Sequence, residues 1–127
     1  MRIEHVAVWV ADLEAMKDFY CRHFRGAAST RYHNDKTGFS SYFLYFDDGA
    51  RLELMHRPDR ADAPMQAERR GLAHLAFSAG TALEVERLTE RLAAAGCELL
   101  SPPRLTGDGY FESCLLDPEG NCLEITL

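Results

Sequence analysis

Two histidines and two glutamates stand at matching places in the two halves of the chain. His5 lies in the stretch RIEHVAVW and His74 in the similar stretch GLAHLAFS. Glu53 follows His5, and Glu124 follows His74, at nearly the same separation and in similar endings, GARLEL and GNCLEI. Two imidazoles and two carboxylates suit Zn, Ni, Co, Mn or Fe, with positions left open for water or substrate. The spacing therefore predicts one metal site built from all four side chains.

Strand alternation gives each of these residues a face. Successive side chains of a strand point to opposite sides of the sheet. Each of the four polar residues alternates with apolar neighbours, and so opposes the apolar row of its strand: Val6, Val8 and Val10; Leu52 and Leu54; Leu75 and Phe77; Leu123 and Ile125. A single Glu on a strand is usually just its solvent side, and a single His is usually an ordinary polar residue. The fourfold match in place and parity favours a shared hollow.

The first half of the chain predicts the order β-α-β-β-β. Strands are expected at 2–10, 27–33, 39–47 and 50–56 from alternation and β-branched or aromatic content. Asp12 is a good N-cap for a helix over LEAMKDFYCRHF, which Gly26 can end. Asp48-Gly49 is a hairpin signal between the last two strands.

The second half repeats that order. Strands are expected at 71–79, 97–101, 110–117 and 121–127, with Pro102-Pro103 stopping the second of them. Thr81 and Glu84 match a capping box, and the apolar stripe that follows predicts a helix ended by Gly96. Thr106-Gly107-Asp108-Gly109 has the composition of a mobile loop.

The expected fold is therefore α+β, a single domain over 1–127 made of two tandem βαβββ modules. The modules are 1–57 and 71–127, and the charged, proline-containing stretch 58–70 links them. Half a chain of this length cannot bury enough surface alone, so the two copies should share a core or pair with a second chain.

Charge and composition exclude several classes of protein. The net charge of −6 argues against nucleic-acid binding, which needs a basic face. We find no apolar run near the ~20 residues that a membrane span needs, and no signal peptide. The four cysteines, at 21, 97, 114 and 122, form no CxxC pair, and nothing in their spacing requires pairing. They are expected to be reduced thiols in a cytoplasmic protein.

The paired modules and the four marked residues resemble the vicinal oxygen chelate superfamily, and within it bacterial glyoxalase I-like proteins. The first helix, DLEAMKDFYCRHF, is similar to that family's first helix, and LLDPEGNCLEI is similar to its DPxGxxxE ending. The resemblance covers essentially the whole chain. It implies curved mixed sheets with helices outside, around a cavity that holds one divalent metal, Zn or Ni, with Co, Mn or Fe possible.

The resemblance also implies a function. His5, Glu53, His74 and Glu124 would bind the metal, which holds vicinal oxygens of a small substrate and stabilises an enediolate. Glu124, with Glu53 second, would shuttle the proton, as in a lyase or isomerase. A homodimer is implied, with one pair of ligands from each chain. The alternatives are a non-catalytic small-molecule binding or resistance protein and a 2-His-1-carboxylate dioxygenase.

Trp9 occupies the place where glyoxalase I proper has an arginine for the glutathione carboxylate. The sequence therefore does not favour glutathione as co-substrate. Trp9 shares a face with His5, so it is a candidate cavity wall or a core aromatic. Arg51 is a candidate contact for a substrate anion or a plain surface residue, and His56 is off parity with Glu53, which excludes it as a ligand.

Overall fold

The computed structural model describes residues 2–60, 71–107 and 109–127. The chain divides into two compact units, Met1–Ala63 and Pro64–Leu127. The elements follow in the order β1 (His5–Trp9), α1 (Leu13–Phe24), β2 (Ala27–Ala28), β3 (Tyr32–His33), β4 (Ser40–Tyr45), β5 (Arg51–His56), β6 (Leu75–Ser78), α2 (Ala82–Ala94), β7 (Leu99–Leu105), β8 (Phe111–Leu116) and β9 (Cys122–Thr126).

The first unit is a mixed sheet with α1 against it. The strand order is β1-β5-β4-β2, and β3 also pairs with β4. β1 and β5 run parallel, and the other pairs are antiparallel. Met16 and Tyr20 of α1 are buried, as are Leu44, Leu52 and Leu54 of the sheet. The expected single strand at 27–33 is two short strands, each of which pairs with a different part of β4.

Helix α1 begins and ends close to where the sequence predicts. The Asp12 carboxylate accepts a hydrogen bond from the Ala15 amide at 2.9 Å, which satisfies a free N–H of the first turn. At the other end the left-handed position falls on Arg25, with φ 58°, and not on Gly26. The helix covers the predicted residues, and the residue whose left-handed conformation ends it is Arg25.

The second unit repeats the design with the strand order β6-β9-β8-β7. β6 and β9 are parallel, and the other pairs are antiparallel. Helix α2 contacts β7, β8 and β9. Its core residues are buried together with those of the sheet: Val85, Leu92, Leu115, Leu123 and Ile125. The Thr81 hydroxyl accepts from the Glu84 amide at 3.2 Å, and the Glu84 carboxylate pairs with Arg87 at 2.9 Å.

The prediction that Pro102-Pro103 stops a strand is wrong. β7 runs through both prolines from Leu99 to Leu105. It is the edge strand of its sheet, where a residue without an N–H is tolerated. The pairing with β8 shifts register between Leu99 and Ser101, and again between Ser101 and Arg104. These irregularities take up the residues that cannot join a regular ladder.

Two segments of the prediction lie partly outside the described residues. Residues 61–70 of the expected linker are among them, and the bounds of the two modules stay a prediction. In the loop at 106–109, where Asp108 is also outside, Thr106 is tied to Tyr110. The Thr106 amide donates to the Tyr110 carbonyl at 2.7 Å, and the Tyr110 amide donates to the Thr106 hydroxyl at 2.9 Å. No helix of the described chain is long and apolar enough to cross a membrane.

Candidate metal centre

His5 and Glu53 meet across the parallel strands β1 and β5. The partner of His5 on β5 is Arg51, and the partner of Ala7 is Glu53. Glu53 thus lies two residues beyond the partner of His5, which puts both side chains on one face of the sheet. His5 Nε2 and Glu53 Oε2 are 3.9 Å apart.

A second carboxylate holds the other side of the His5 ring. His5 Nδ1 shares a hydrogen bond of 2.5 Å with Glu4 Oε2, and Arg51 pairs with the same carboxylate. The hydrogen bond with His5 is the main reason that the pKa of Glu4 lies below its usual range. The Arg51 guanidinium stacks on the Phe43 ring at 4.2 Å, and that ring meets the His5 ring edge-on at 5.4 Å. These contacts leave Nε2 of His5 on the side of Glu53.

His74 and Glu124 repeat this arrangement in the second unit. His74 immediately precedes β6, whose first pairs with β9 are Leu75 with Leu123 and Ala76 with Glu124. Glu124 is displaced along β9 from His74 in the same direction as Glu53 is displaced along β5 from His5. His74 Nε2 and Glu124 Oε2 are 3.2 Å apart.

Burial follows the alternation that the sequence predicts. The glutamates are part-exposed, with 14% of the Glu53 side chain and 24% of the Glu124 side chain accessible. Their neighbours on the same strands are buried: Leu52, Leu54, Leu123 and Ile125. Each carboxylate therefore lies on the sheet face opposite its helix-packed row.

The spacing within each pair can be compared with metal geometry. Ligand atoms about 2.0–2.2 Å from one Zn, at roughly tetrahedral or octahedral angles, lie on the order of 3–3.5 Å from each other. The His74–Glu124 pair, at 3.2 Å, fits this range, and the His5–Glu53 pair, at 3.9 Å, needs a side-chain adjustment of a few tenths of an ångström. Within the described parts of the chain, no three His, Cys, Asp or Glu side chains form a metal-binding group. Each unit thus supplies a pair of suitable donors.

Two cysteines also lie on the face that carries Glu124, and the sequence reasoning missed their contact. Cys114 of β8 is the cross-strand partner of Glu124, and Cys122 precedes Glu124 by two residues on β9. Their sulfurs are 3.0 Å apart, and both thiols are free. Burial, reinforced by the hydrogen bond with Cys122, raises the pKa of Cys114 to about 12. The shared parity of Cys122 with Glu124 could have placed Cys122 on this face, but the contact with Cys114 depends also on the register of β8 and on rotamers.

The remaining candidates flank the histidine–glutamate pair of the first unit. Trp9 is 43% exposed, meets the Phe39 ring edge-on at 6.1 Å, and lies under the Arg60 guanidinium at 4.9 Å. Its partner on β5 is Met55, two residues beyond Glu53, so Trp9 shares the face of His5 and Glu53. His56 shares a hydrogen bond through Nδ1 with the Val10 carbonyl at 3.0 Å, away from that face.

Comparison with known proteins agrees with this architecture. Residues 2–125 match the model of the Glyoxalase/Bleomycin resistance protein/Dioxygenase superfamily, and the chain belongs to that family. Uncharacterized protein YqjT of Bacillus subtilis (strain 168) is 29% identical over 121 residues, covering 92% of this chain and 91% of that protein.

Solved structures share the fold. A glyoxylase/bleomycin resistance protein/dioxygenase domain from Frankia sp. EAN1pec has a TM-score of 0.85 at 24% identity, covering 100% of this chain and 97% of that one. Glyoxalase I from Zea mays has a TM-score of 0.78 at 19% identity, covering 98% of this chain and 44% of that one. At these identities the likeness is one of fold.

Proposed function

We propose that this protein is a divalent-metal-dependent lyase or isomerase of the glyoxalase I type. It would act on a small substrate with vicinal oxygens through an enediolate. The observation that carries the proposal is the duplication of one geometry. In each unit a histidine at or just before the first strand lies close to a glutamate of the parallel strand beside it. A glutamate that only faces solvent need not lie beside a histidine, as these two do at 3.9 and 3.2 Å.

The four donors are proposed to bind one Zn or Ni ion, with Co, Mn and Fe as further possibilities. His5 and Glu53 would supply one half of the ligand set, and His74 and Glu124 the other. Neutral imidazole and carboxylate are both ligands that these ions accept. When bound, the metal supplies Lewis acidity to the adjacent substrate oxygens.

The protein's own part of the reaction is to move a proton. A carboxylate can take a proton from carbon and return it to the neighbouring carbon, provided that it lies within hydrogen-bond reach of both positions. We assign this role to Glu124, with Glu53 as the second candidate. Trp9, on the face of His5 and Glu53, would help to exclude water from the bound substrate.

The proposed assembly is a homodimer that acts in the cytoplasm on a small molecule. A duplicated half-site suits such an assembly, since a two-fold axis relates identical surfaces of two chains. Glutathione is not proposed as co-substrate, because Trp9 occupies the position of the expected arginine. The Zea mays relative is named glyoxalase I, so hemithioacetals and other α-hydroxycarbonyl compounds are the first substrates to screen.

Elemental analysis of the purified protein tests the proposal. We expect about one Zn or Ni per chain, lost in His74→Ala and retained in His33→Ala. His33 is a suitable control because it lies on the sheet face opposite Glu53. Ser41 pairs with Met55, which shares the face of Glu53, and the partner of His33 is Ser40, the next residue along β4. Circular dichroism of both variants verifies that each is folded.

The other outcomes separate the alternatives. No metal, even after incubation with each ion, rejects the enzyme and leaves a small-molecule binding protein. Iron with substrate-dependent oxygen consumption rejects the lyase in favour of the dioxygenase. Metal retained in His74→Ala rejects the ligand set.

A further inference from the structure

Cys114 and Cys122 are in contact, and neither belongs to the proposed ligand set. The two residues lie on the antiparallel strands β8 and β9, where Leu116 pairs with Cys122 and Cys114 pairs with Glu124. The cysteines are thus diagonal neighbours on one face of the sheet. Their side chains turn towards each other, which brings the sulfurs to 3.0 Å.

This distance puts the pair close to bond formation. A disulfide needs its sulfurs about 2.0 Å apart, so they must approach by about a further 1 Å. Side-chain rotation and a small shift between two hydrogen-bonded strands can supply that. The other two cysteines differ: Cys21 belongs to α1 in the other unit, and Cys97 is buried after α2.

Both thiols are also within reach of a small reagent. Cys114 and Cys122 are part-exposed in the described structure, and neither is joined to another residue by a disulfide. Because the two sulfurs are in contact, either thiol is placed to react with a sulfenic acid that forms on the other.

We propose that Cys114 and Cys122 form a modification site at which a hydroperoxide closes a reversible disulfide between β8 and β9. The thiolate of one cysteine attacks the peroxide and takes one oxygen as a hydroxyl group, and the other oxygen leaves as water with the proton that the thiol released. The sulfur of the second thiol then displaces that hydroxyl, and a second water leaves. Two thiols and one hydrogen peroxide thus give one disulfide and two waters, with the sulfurs oxidised and the peroxide reduced.

The position of the bond gives it a consequence for Glu124. The disulfide would join the cross-strand partner of Glu124 to the residue two positions before it on its own strand. The bond would therefore lie on the face that carries the carboxylate and fix the local spacing of β8 and β9 beside it.

The test uses the full-length chain with Cys21→Ser and Cys97→Ser, which leaves only the pair. After treatment with hydrogen peroxide, we expect an intact mass lower by two hydrogen atoms, loss of both thiols that iodoacetamide labels in the unfolded chain, and a monomeric band on a non-reducing gel. Dithiothreitol should restore the mass and both thiols.

Two matched variants, each with one cysteine of the pair changed, serve as controls. Adding Cys114→Ser or Cys122→Ser should convert the product to oxygen adducts of the remaining thiol, without loss of two hydrogens. The proposal is overturned if the pair-only chain gains oxygen instead of losing hydrogen, keeps both thiols reactive, or forms disulfide-linked dimers. One of the two control variants is enough for the comparison, provided that it folds. None of these readouts depends on metal or on enzymatic activity.

Discussion

At the scale of single residues, the two glutamates differ in exposure, which bears on their roles. Glu53 is the less accessible of the two, while Glu124 exposes 24% of its side chain and lies 3.2 Å from His74. A base must reach its substrate, and a mainly buried carboxylate is better suited to holding a ligand position. The resemblance implies Glu124 as the base with Glu53 second, and the greater exposure of Glu124 is consistent with that proposal.

Glu124→Gln should abolish proton transfer and leave the fold intact. The amide keeps the shape of the side chain but cannot accept a proton, and general-base catalysis is typically worth about 10²–10⁴-fold. Exchange of the carbon-bound hydrogen for solvent deuterium, followed by NMR on a substrate that the wild type turns over, measures the step. Glu90→Gln, on the exposed side of α2, is the control. Near-normal exchange in Glu124→Gln would reject its role as base.

Glu4→Gln should weaken metal binding without unfolding the protein. Glu4 holds Nδ1 of His5, and partners that orient a ligating histidine typically contribute about 10–100-fold to metal affinity. Titration against a competing chelator measures this affinity. Glu14→Gln, a carboxylate variant on α1 of the same unit, is the control. An unchanged dissociation constant would show that Glu4 is only a surface partner of Arg51.

Much of the candidate site could be predicted at this scale, but the contacts that surround it could not. Alternation fixes the face of Glu53 and Glu124 because their neighbours must be buried. The Glu4–His5 hydrogen bond and the Cys114–Cys122 contact depend on rotamers. A sequence pattern with period two carries no information about rotamers.

At the scale of elements, local signals predicted the helices well and the edge strand badly. Caps and apolar stripes are local, so Asp12 and Thr81 mark the starts of α1 and α2 correctly. The path of β7 through Pro102 depends instead on its place at the edge of the sheet, which only the whole sheet determines. The sequence shows the two prolines, but it does not show that their strand lies at the edge of the sheet.

Asp117→Ala should destabilise the turn that leads into β9. The Asp117 side chain is buried and accepts hydrogen bonds from the amides of Glu119 and Asn121, at 3.0 and 2.8 Å, and from the Asn121 side chain at 2.8 Å. Leaving those donors unpaired should cost about 1–3 kcal/mol, measured by urea unfolding. Asp35→Ala, whose side chain is 98% exposed, is the control. An equal loss in both variants would contradict a special role for this turn.

Glu14 should make a small, pH-dependent contribution to stability by tying α1 to β4. Its carboxylate accepts from Lys17 at 2.8 Å and from the Tyr42 hydroxyl at 2.9 Å, and these bonds hold its pKa below the usual 4.5. A lowered folded-state pKa stabilises the protein above the unfolded value, and the gain is lost as pH falls through the folded value.

Urea unfolding at roughly pH 3 to 7 tests this contribution. Wild type should exceed Glu14→Gln by no more than about 1 kcal/mol near neutrality, since half of the side chain is exposed, and the difference should shrink in acid. Glu90→Gln, on the exposed side of α2, is the matched control variant. A difference that grew as pH fell would contradict the direction of the pKa shift.

At the scale of the whole molecule, the chain is built twice from one plan. Each compact unit has a helix against a mixed sheet and one histidine–glutamate pair at a parallel strand pair, with His74 just before β6. Each pair alone is half of the proposed ligand set. If one metal needs both pairs, a change to the pair of either unit should remove that metal. If the two pairs are independent sites, a change to one pair should remove only the metal of that pair.

Subunit mixing distinguishes sites built across a homodimer from sites built within one chain. Measured separately, the His5→Ala variant and the His74→Ala variant should both lack metal. A mixed dimer contains one chain of each variant. If each site takes one histidine–glutamate pair from each chain, the two undamaged pairs of a mixed dimer form one intact site, and the two damaged pairs form the other. Random exchange makes about half of the dimers mixed, so metal content should recover to on the order of a quarter of the wild-type value.

The control for the mixing experiment uses Glu53→Gln with His5→Ala, since both damage the same half-site and no recovery is expected. Recovery in that control would show that the single changes leave a working site. Absence of recovery with His5→Ala and His74→Ala, once subunit exchange has been verified by mass spectrometry, would mean that each chain must supply its whole ligand set. Two metals per wild-type chain, falling to one in each single variant, would instead make the histidine–glutamate pairs separate sites and remove the basis for a shared reaction centre.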